Sequence, residues 1–211
     1  MLDVHPPYEK IHGFKDFLLH LLTITIGLLI ALSLEGLVEK YHNRELRQEA
    51  DRNLRQEIQD NRKEVESLKS ILQQEEKTLG STLDFIKAKE QGKPFDVNGI
   101  KLGFSIGTLS DASWRTAGAT GALALMEYGQ VQKYASLYQL QDKLGRLQDQ
   151  TFDDFLRMQS YVLHGFDPVK FTAADAAAAE PDVRHALAHL VAMDEIGDAL
   201  GNQYKRVLKG E

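Results

Sequence analysis

Two histidines, His185 and His189, come closest in type and spacing to a chemical motif in this sequence. On a helix, side chains four positions apart lie on one face, and Asp182 would lie one turn earlier. A pair of neutral imidazoles at this spacing binds zinc when a third ligand converges on it. Because the chain has no second motif of this kind, we interpret the face as solvated and predict no metal. If a metal ion does bind, His185 and His189 are its candidate ligands.

Other ionisable residues fit structural positions better than catalytic ones. His20 lies inside an apolar run and Glu35 at its far end, which are places where an ionisable group can mark function. Each is within about one helical turn of a membrane interface if the run spans a bilayer, so we interpret both as interfacial residues. Asp153 and Asp154 are adjacent and therefore do not share one helix face.

The glycine-rich sequence GATG at 118–121 is not a phosphate-binding loop. It lacks the Lys-Ser/Thr pair of a P-loop and no strand precedes it. Small residues around it, from Trp114 to Met126, favour close approach of two helix backbones. No Ser-His-Asp pattern or nucleophile elbow is present, and the chain has no cysteine, which excludes disulfides and thiolate chemistry. We predict no catalytic residue and no cofactor.

Composition excludes one further class of function. The 211 residues carry a formal net charge of -6, with a pI near 5.7. Nucleic-acid binding needs a concentrated basic face, which this mildly acidic chain does not offer. We predict no nucleic-acid partner.

A membrane-spanning helix is predicted near the N-terminus. Residues 17–34 contain no Asp, Glu, Lys or Arg. As a helix these 18 residues cover about 27 Å, close to the ~30 Å hydrocarbon core of a bilayer. Extended to Val38, the span is 17–38, after a short tail at 1–16.

Two alternatives to this anchor remain open. A buried helix of a soluble protein is one, although apolar residues on every face are unusual there. A cleaved signal peptide is the other, with Ala31 and Ser33 as a small-x-small pair. The apolar run exceeds the ~7–15 residues of a signal core and continues without a break into a charged helical segment, which favours a retained anchor.

The charges around the span do not decide its orientation. Two lysines precede it, whereas several basic residues follow it, interleaved with glutamates: Lys40, Arg44, Arg47, Arg52 and Arg55. Counting positive charges places the following domain in the cytoplasm, yet long domains cross membranes largely regardless of charge. Both orientations stay open at this point.

A long charged helix is predicted for residues 39–91, rich in Glu, Gln, Arg, Lys and Leu. Apolar residues recur in it at intervals of seven, at Ile58, Val65, Leu72, Leu79 and Ile86. Polar residues occupy most of the alternate heptad positions, including Asn61, so we expect this stripe to pack on later helices. Gly80, followed by Ser81 and Asp84, predicts a kink with a new cap.

The rest of the chain, 110–208, is predicted to be a helical domain that packs on the long helix. Residues 92–109 read as a loop or short hairpin. Helices are expected from Ser110 or Asp111 to Met126, over 130–164, and after an alanine-rich stretch from Pro181, a residue suited to the first helical position. The overall prediction is all-α: the spanning helix continues into a long helix that packs with about three further helices as an antiparallel bundle. Leu144, Leu147 and Phe155 should be buried, with Leu190 and Leu200 among their partners.

One combination of segments resembles a group of bacterial membrane proteins of uncharacterised function. The segments are IHGFKDFLLHLLTITIGLLIALSLEGLVEKYHNREL, SWRTAGATGALALM and YASLYQLQ. Those proteins share an N-terminal Ile-Gly-x-Leu-Ile-Ala-Leu spanning helix with a charged helix after it. The resemblance implies an anchored helical domain at the bacterial inner membrane and supplies no catalytic residues. Basic N-terminal tails in such relatives imply a periplasmic domain.

The sequence predicts that the chain is a membrane-anchored interaction protein or accessory subunit and not an enzyme. Membrane lipid and a homo-oligomer or larger membrane complex are the expected partners, and a small-molecule ligand is not expected. Thr23, Gly27 and Ala31 lie four apart and form one face on which spanning helices can pack closely. The alternative function is a helical ligand-sensing domain that signals through a partner.

Overall fold

The computed structural model describes residues 13–96, 107–161, 167 and 170–210. All regular structure in these residues is helical, which confirms the all-α prediction. The elements are helix α1 (Phe14–Glu90), helix α2 (Ala112–Ala119), a 3-10 turn at Ala122–Leu125, helix α3 (Tyr128–Ser160) and helix α4 (Ala173–Lys209). The chain divides into an N-terminal unit, Met1–Gln48, and a C-terminal unit, Glu49–Glu211.

In the N-terminal unit, the described residues are the first part of α1. A stretch of 18 residues there has a mean hydropathy of 2.4 and none of it is buried. Three hydroxyls in this stretch donate to the carbonyl oxygen four residues earlier: Thr23 to Leu19 at 2.9 Å, Thr25 to Leu21 at 2.8 Å and Ser33 to Leu29 at 2.6 Å. The hydroxyls are therefore satisfied within the helix, which lowers the cost of apolar surroundings.

The C-terminal unit is a bundle built on the remaining part of α1. The five apolar residues at seven-residue intervals, Ile58 to Ile86, are all buried, as are Leu144, Phe155, Leu190 and Leu200. Leu147 is half-buried. The heptad stripe thus faces α3 and α4.

Some helix pairs of the bundle are parallel and others are antiparallel. Asp51 contacts Tyr134 and Asn61 contacts Gln141, so α1 and α3 run in the same direction. By contrast Lys69 contacts Asp198, and Tyr204 contacts Gln141, so α4 is antiparallel to both. The antiparallel arrangement predicted for the whole bundle therefore does not extend to the α1–α3 pair. The connection between Glu90 and Tyr128 is long enough to return the chain to the end of the bundle where α1 enters it.

Two predictions about helix breaks and ends are wrong. Gly80 does not break α1, because buried residues on both sides of it, Leu79 and Leu83, keep the helix packed. The helix predicted to reach Met126 ends at Ala119, because Gly121 adopts a left-handed conformation with φ 77° and starts a separate 3-10 turn. The segment predicted as a loop or short hairpin, 92–109, has no helix or strand in its described flanks, and its centre, 97–106, lies outside the described residues.

The last helix also begins earlier than predicted. Thr172 and Asp175 form a capping box, with the Asp175 N–H donating to Thr172 Oγ1 at 3.1 Å. Alanines, the best helix formers, follow immediately. Pro181 therefore lies inside α4 and not at its first position.

Candidate functional site

The most concentrated chemistry in the C-terminal unit is a cluster that we call the interior polar cluster. It joins all three long helices to the segment that precedes α2. Its members are Glu57, Asn61, Ser110, Tyr138, Gln141 and Tyr204. Except for Ser110, each is at least nine-tenths buried.

Glu57 supplies the carboxylate of this cluster. Its Oε2 accepts from the Ser110 hydroxyl and from the Ser113 backbone N–H, both at 2.8 Å, and its Oε1 accepts from the Tyr138 hydroxyl at 2.6 Å. Ser113 lies in the first turn of α2, whose N-cap residue, Asp111, makes no side-chain cap. A side chain from α1 therefore caps α2, and the positive end of that helix favours the negative charge.

Two amides fix the backbone of Ser110. Asn61 accepts from the Ser110 N–H at 2.8 Å and donates to its carbonyl at 2.6 Å. Gln141 Nε2 donates to the same carbonyl at 2.7 Å, and Gln141 Oε1 accepts from the Tyr204 hydroxyl at 2.8 Å. The segment before α2 is thus held by α1 and α3, and through Gln141 by α4.

The two tyrosines of the cluster are held in their protonated form. Burial and the hydrogen bond to Glu57 raise the pKa of Tyr138 well above its ordinary value. Burial, followed by the nearby Glu57 charge, raises the pKa of Tyr204. Trp114 stacks on Tyr138 with ring centroids 5.1 Å apart. Both hydroxyls therefore act as hydrogen-bond donors and not as bases.

A smaller polar group lies where α1 enters the bundle. The Tyr134 hydroxyl donates to Asp51 at 2.8 Å, Gln130 donates to the same carboxylate, and Arg55 pairs with Asp51 at 3.0 Å. Burial and the hydrogen bond to Asp51 raise the pKa of Tyr134 to about 12. This group ties α1 to the first turns of α3.

A third group links α3 to α4 around Asp154, whose side chain is 1% exposed. Asp154 Oδ2 lies 2.7 Å from His189 Nδ1, and its Oδ1 accepts from Arg157. Arg157 also pairs with Asp182 at 3.1 Å, and Asp182 accepts from the Tyr161 hydroxyl at 3.2 Å. The carboxylate, imidazole and guanidinium thus hold one another in place between the two helices.

The two histidines that the sequence pairs have different surroundings in the structure. His189 contacts Asp154 and is half-buried, whereas His185 is exposed. In the part of the chain that the structure describes, no group of three or more His, Cys, Asp or Glu side chains is placed to hold a metal ion. Of the adjacent carboxylates, Asp154 is buried and Asp153 exposed.

The candidates in the N-terminal unit are all exposed there. They are His20, Thr23, Gly27, Ala31 and Glu35. A Cβ built on Gly27 would meet no atom within 4 Å. This unit therefore leaves the Thr23–Gly27–Ala31 face uncovered.

Comparisons with family models, with curated proteins and with solved structures found no match.

The geometry of the polar groups fits the assembly of a bundle. In all three polar groups, carboxylates and amides are engaged by side chains or backbone from another helix. Sequence reasoning noted Asn61 as a polar residue in an apolar heptad, which is a signal of a buried hydrogen bond. It missed Glu57, Ser110 and Tyr138, because no local period connects residues that are 53 to 81 positions apart.

Proposed function

We propose that this chain is a single-pass membrane protein whose helical domain acts by binding other proteins, as an oligomer or as an accessory subunit of a larger membrane assembly. The observation that carries the proposal is the exposed apolar part of α1. From Phe17 to Leu34 every residue is exposed, and the segment is long and apolar enough to cross a membrane. In water, this surface costs about 25 cal/mol per Å² of apolar area, and a bilayer removes that cost.

Non-catalytic action is supported by how the domain uses its reactive groups. Glu57 caps α2, and Asp154 and His189 join α3 to α4. Groups engaged in this way stabilise a rigid helical body. We place this body at the bacterial inner membrane, on the periplasmic side, on the strength of the resemblance to bacterial anchored proteins.

The anchor is tested by carbonate extraction of membranes that contain the full-length chain. We expect the intact protein in the pellet. Leu28→Arg should cost about 2.5–3.5 kcal/mol of insertion and shift protein to the soluble fraction, whereas Leu28→Ile should not. A shorter soluble species that begins near Leu34 would instead support a cleaved signal peptide.

The interaction role is tested by crosslinking in intact membranes, followed by purification in mild detergent. We expect a crosslinked homo-oligomer or a stoichiometric membrane partner. A chain that remains monomeric and without a stoichiometric partner under these conditions would contradict the role.

A second candidate function is favoured by a groove between α3 and α4 that is large enough for a small molecule. It is a ligand-sensing domain that signals through a partner.

A further inference from the structure

The groove between α3 and α4 has a volume of about 850 Å³, within the range of small-molecule sites. Small residues leave it open: Gly129 and Ser136 on α3 and Ala199 on α4. Leu140 and Val207 supply apolar surface. An apolar group of modest size can therefore replace water between the two helices.

Two cations line this groove without a partner. Among the described residues, neither Lys133 nor Arg206 makes an ion pair. Among the described residues, exposed cations such as Arg62, Arg146 and Arg184 pair with carboxylates on their own helices, whereas Lys143 and Lys205 also lack an ion pair. Lys133 and Arg206 differ from these lysines because both line the same groove.

No carboxylate lines the groove to neutralise these cations. Asp198, next to Ala199 in the sequence, is engaged by Lys69 Nζ at 2.9 Å on the α1 side. The other polar lining includes the amides of Gln132 and Asn202, whose NH₂ groups can donate to an anion; Gln132 Nε2 already donates one hydrogen bond to the Tyr128 hydroxyl at 3.1 Å. The charged side chains that line the groove are therefore both positive, while the Glu127 carboxylate lies beside Gly129 at its edge.

We propose that this groove binds a small amphiphilic anion dissolved in water, a single carboxylate or phosphate carried on a short apolar chain. Lys133 and Arg206 hold the anionic group, because charge-assisted hydrogen bonds are the strong ones. Leu140 and Val207 contact the apolar chain. Because the groove combines positively charged side chains with apolar ones, its ligand should carry both an anionic group and an apolar chain.

If the domain is a ligand sensor, this anion is its ligand. Only the biological role of the groove, and not the binding itself, rests on that proposed function. Binding at the groove does not require the spanning helix. Failure of the anchor in carbonate extraction and failure of ligand binding are therefore separate results.

The test is equilibrium dialysis of radiolabelled octanoate against the full-length chain in phosphatidylcholine nanodiscs, with empty nanodiscs subtracted. We expect saturable binding of one octanoate per chain. Replacing both cations, Lys133→Gln with Arg206→Gln, should weaken it about tenfold or more. Both side chains are exposed, so the double variant should fold, which its circular dichroism spectrum checks.

Matched control variants distinguish the loss of a cation in the groove from the loss of a positive charge elsewhere on the same helices. Lys143→Gln and Lys205→Gln remove exposed lysines of α3 and α4 that do not line the groove, and should bind octanoate as the parent does. Octanol, which has the same chain without charge, should not saturate. Equal binding by the double variant, saturation by octanol, or no saturable octanoate binding would each overturn the proposal. Displacement of octanoate by anionic lipid in the nanodisc would assign the groove to a membrane lipid and overturn the proposed dissolved ligand.

Discussion

The carboxylate of Glu57 on α1 accepts a hydrogen bond from the Tyr138 hydroxyl on α3 at 2.6 Å, although the two residues are 81 positions apart in the chain. The same carboxylate caps α2 through the Ser113 N–H. One side chain of the long helix thus fixes both the neighbouring helix α3 and the start of α2, which lies within the connection between them. The interior polar cluster therefore determines how the connection lies on the bundle.

Glu57→Gln tests this role. The glutamine amide offers one acceptor oxygen, where three donors now converge, and its NH₂ group faces other donors. Leaving buried donors unsatisfied should lower the free energy of unfolding by about 1–3 kcal/mol. We would measure urea unfolding of the full-length chain in mild detergent by the fluorescence of Trp114, the only tryptophan, which stacks on Tyr138.

Glu66→Gln is the matched control for this substitution. Glu66 lies on the same helix and pairs with Arg62 at the surface, so its loss should change stability by no more than about 0.5 kcal/mol. If both variants unfold at the same urea concentration, the Glu57 carboxylate does not stabilise the cluster.

Alkaline pH should destabilise the bundle through its buried tyrosines. The pKa of Tyr134 is raised from 10.0 to about 12 in the folded chain. Between these values the folded state binds more protons than the unfolded state, so stability falls as pH rises. The contribution is complete below about pH 10 and is lost as pH rises through about 12. Tyr138 and Tyr204, whose pKa values are also raised, act in the same direction.

Unfolding free energies measured at about pH 9, 10 and 11 would show this decline. Tyr134→Phe should make it shallower, whereas Tyr128→Phe, at a side chain that is 76% exposed, should leave it as in the parent. If the free energy of unfolding of Tyr134→Phe declines with pH as steeply as that of the parent, Tyr134 does not contribute to the alkaline destabilisation.

Much of the fold is predictable because its apolar residues follow helical periods. Ile58, Leu72 and Ile86 share a seven-residue interval, and all are buried. Errors arose where a local signal competed with packing or with another signal. Pro181 is typical of a first helical position, yet the capping box at Thr172 starts α4 at Ala173, eight residues earlier. Gly80 lowers helix propensity, but burial of its neighbours outweighs that cost of about 1 kcal/mol.

The polar groups were largely unpredictable, for a different reason. Asn61 stood out as a polar residue within an apolar stripe, but its partner Ser110 depends on how the connection returns along the bundle. His189 was paired with His185 because their spacing is local. In the fold its partner is Asp154 on another helix, 35 positions away.

Asp154→Asn tests the link between α3 and α4. The buried carboxylate contacts both Arg157 and His189, and an uncharged amide loses both charge-assisted interactions. Hydrogen bonds to charged groups contribute about 1.5–3 kcal/mol, so unfolding should become easier by about that amount. The neighbouring Asp153→Asn changes an exposed carboxylate and should be nearly neutral in the same urea titration. Equal stability of the two variants would show that the Asp154 contacts contribute nothing.

The exposed face formed by Thr23, Gly27 and Ala31 should be the contact through which two spanning helices pair. In a bilayer, no hydrophobic force drives helices together, so a pair depends on close backbone approach at small residues. Gly27→Ile places a branched side chain where a neighbouring backbone would lie, whereas Leu28→Ile keeps the side-chain volume at the next position. We expect the first variant to reduce dimer formation strongly in a membrane two-hybrid assay and the second to leave it near the parent level. Equal association of the two variants would show that this face does not mediate pairing, and any oligomer would then form through the C-terminal unit.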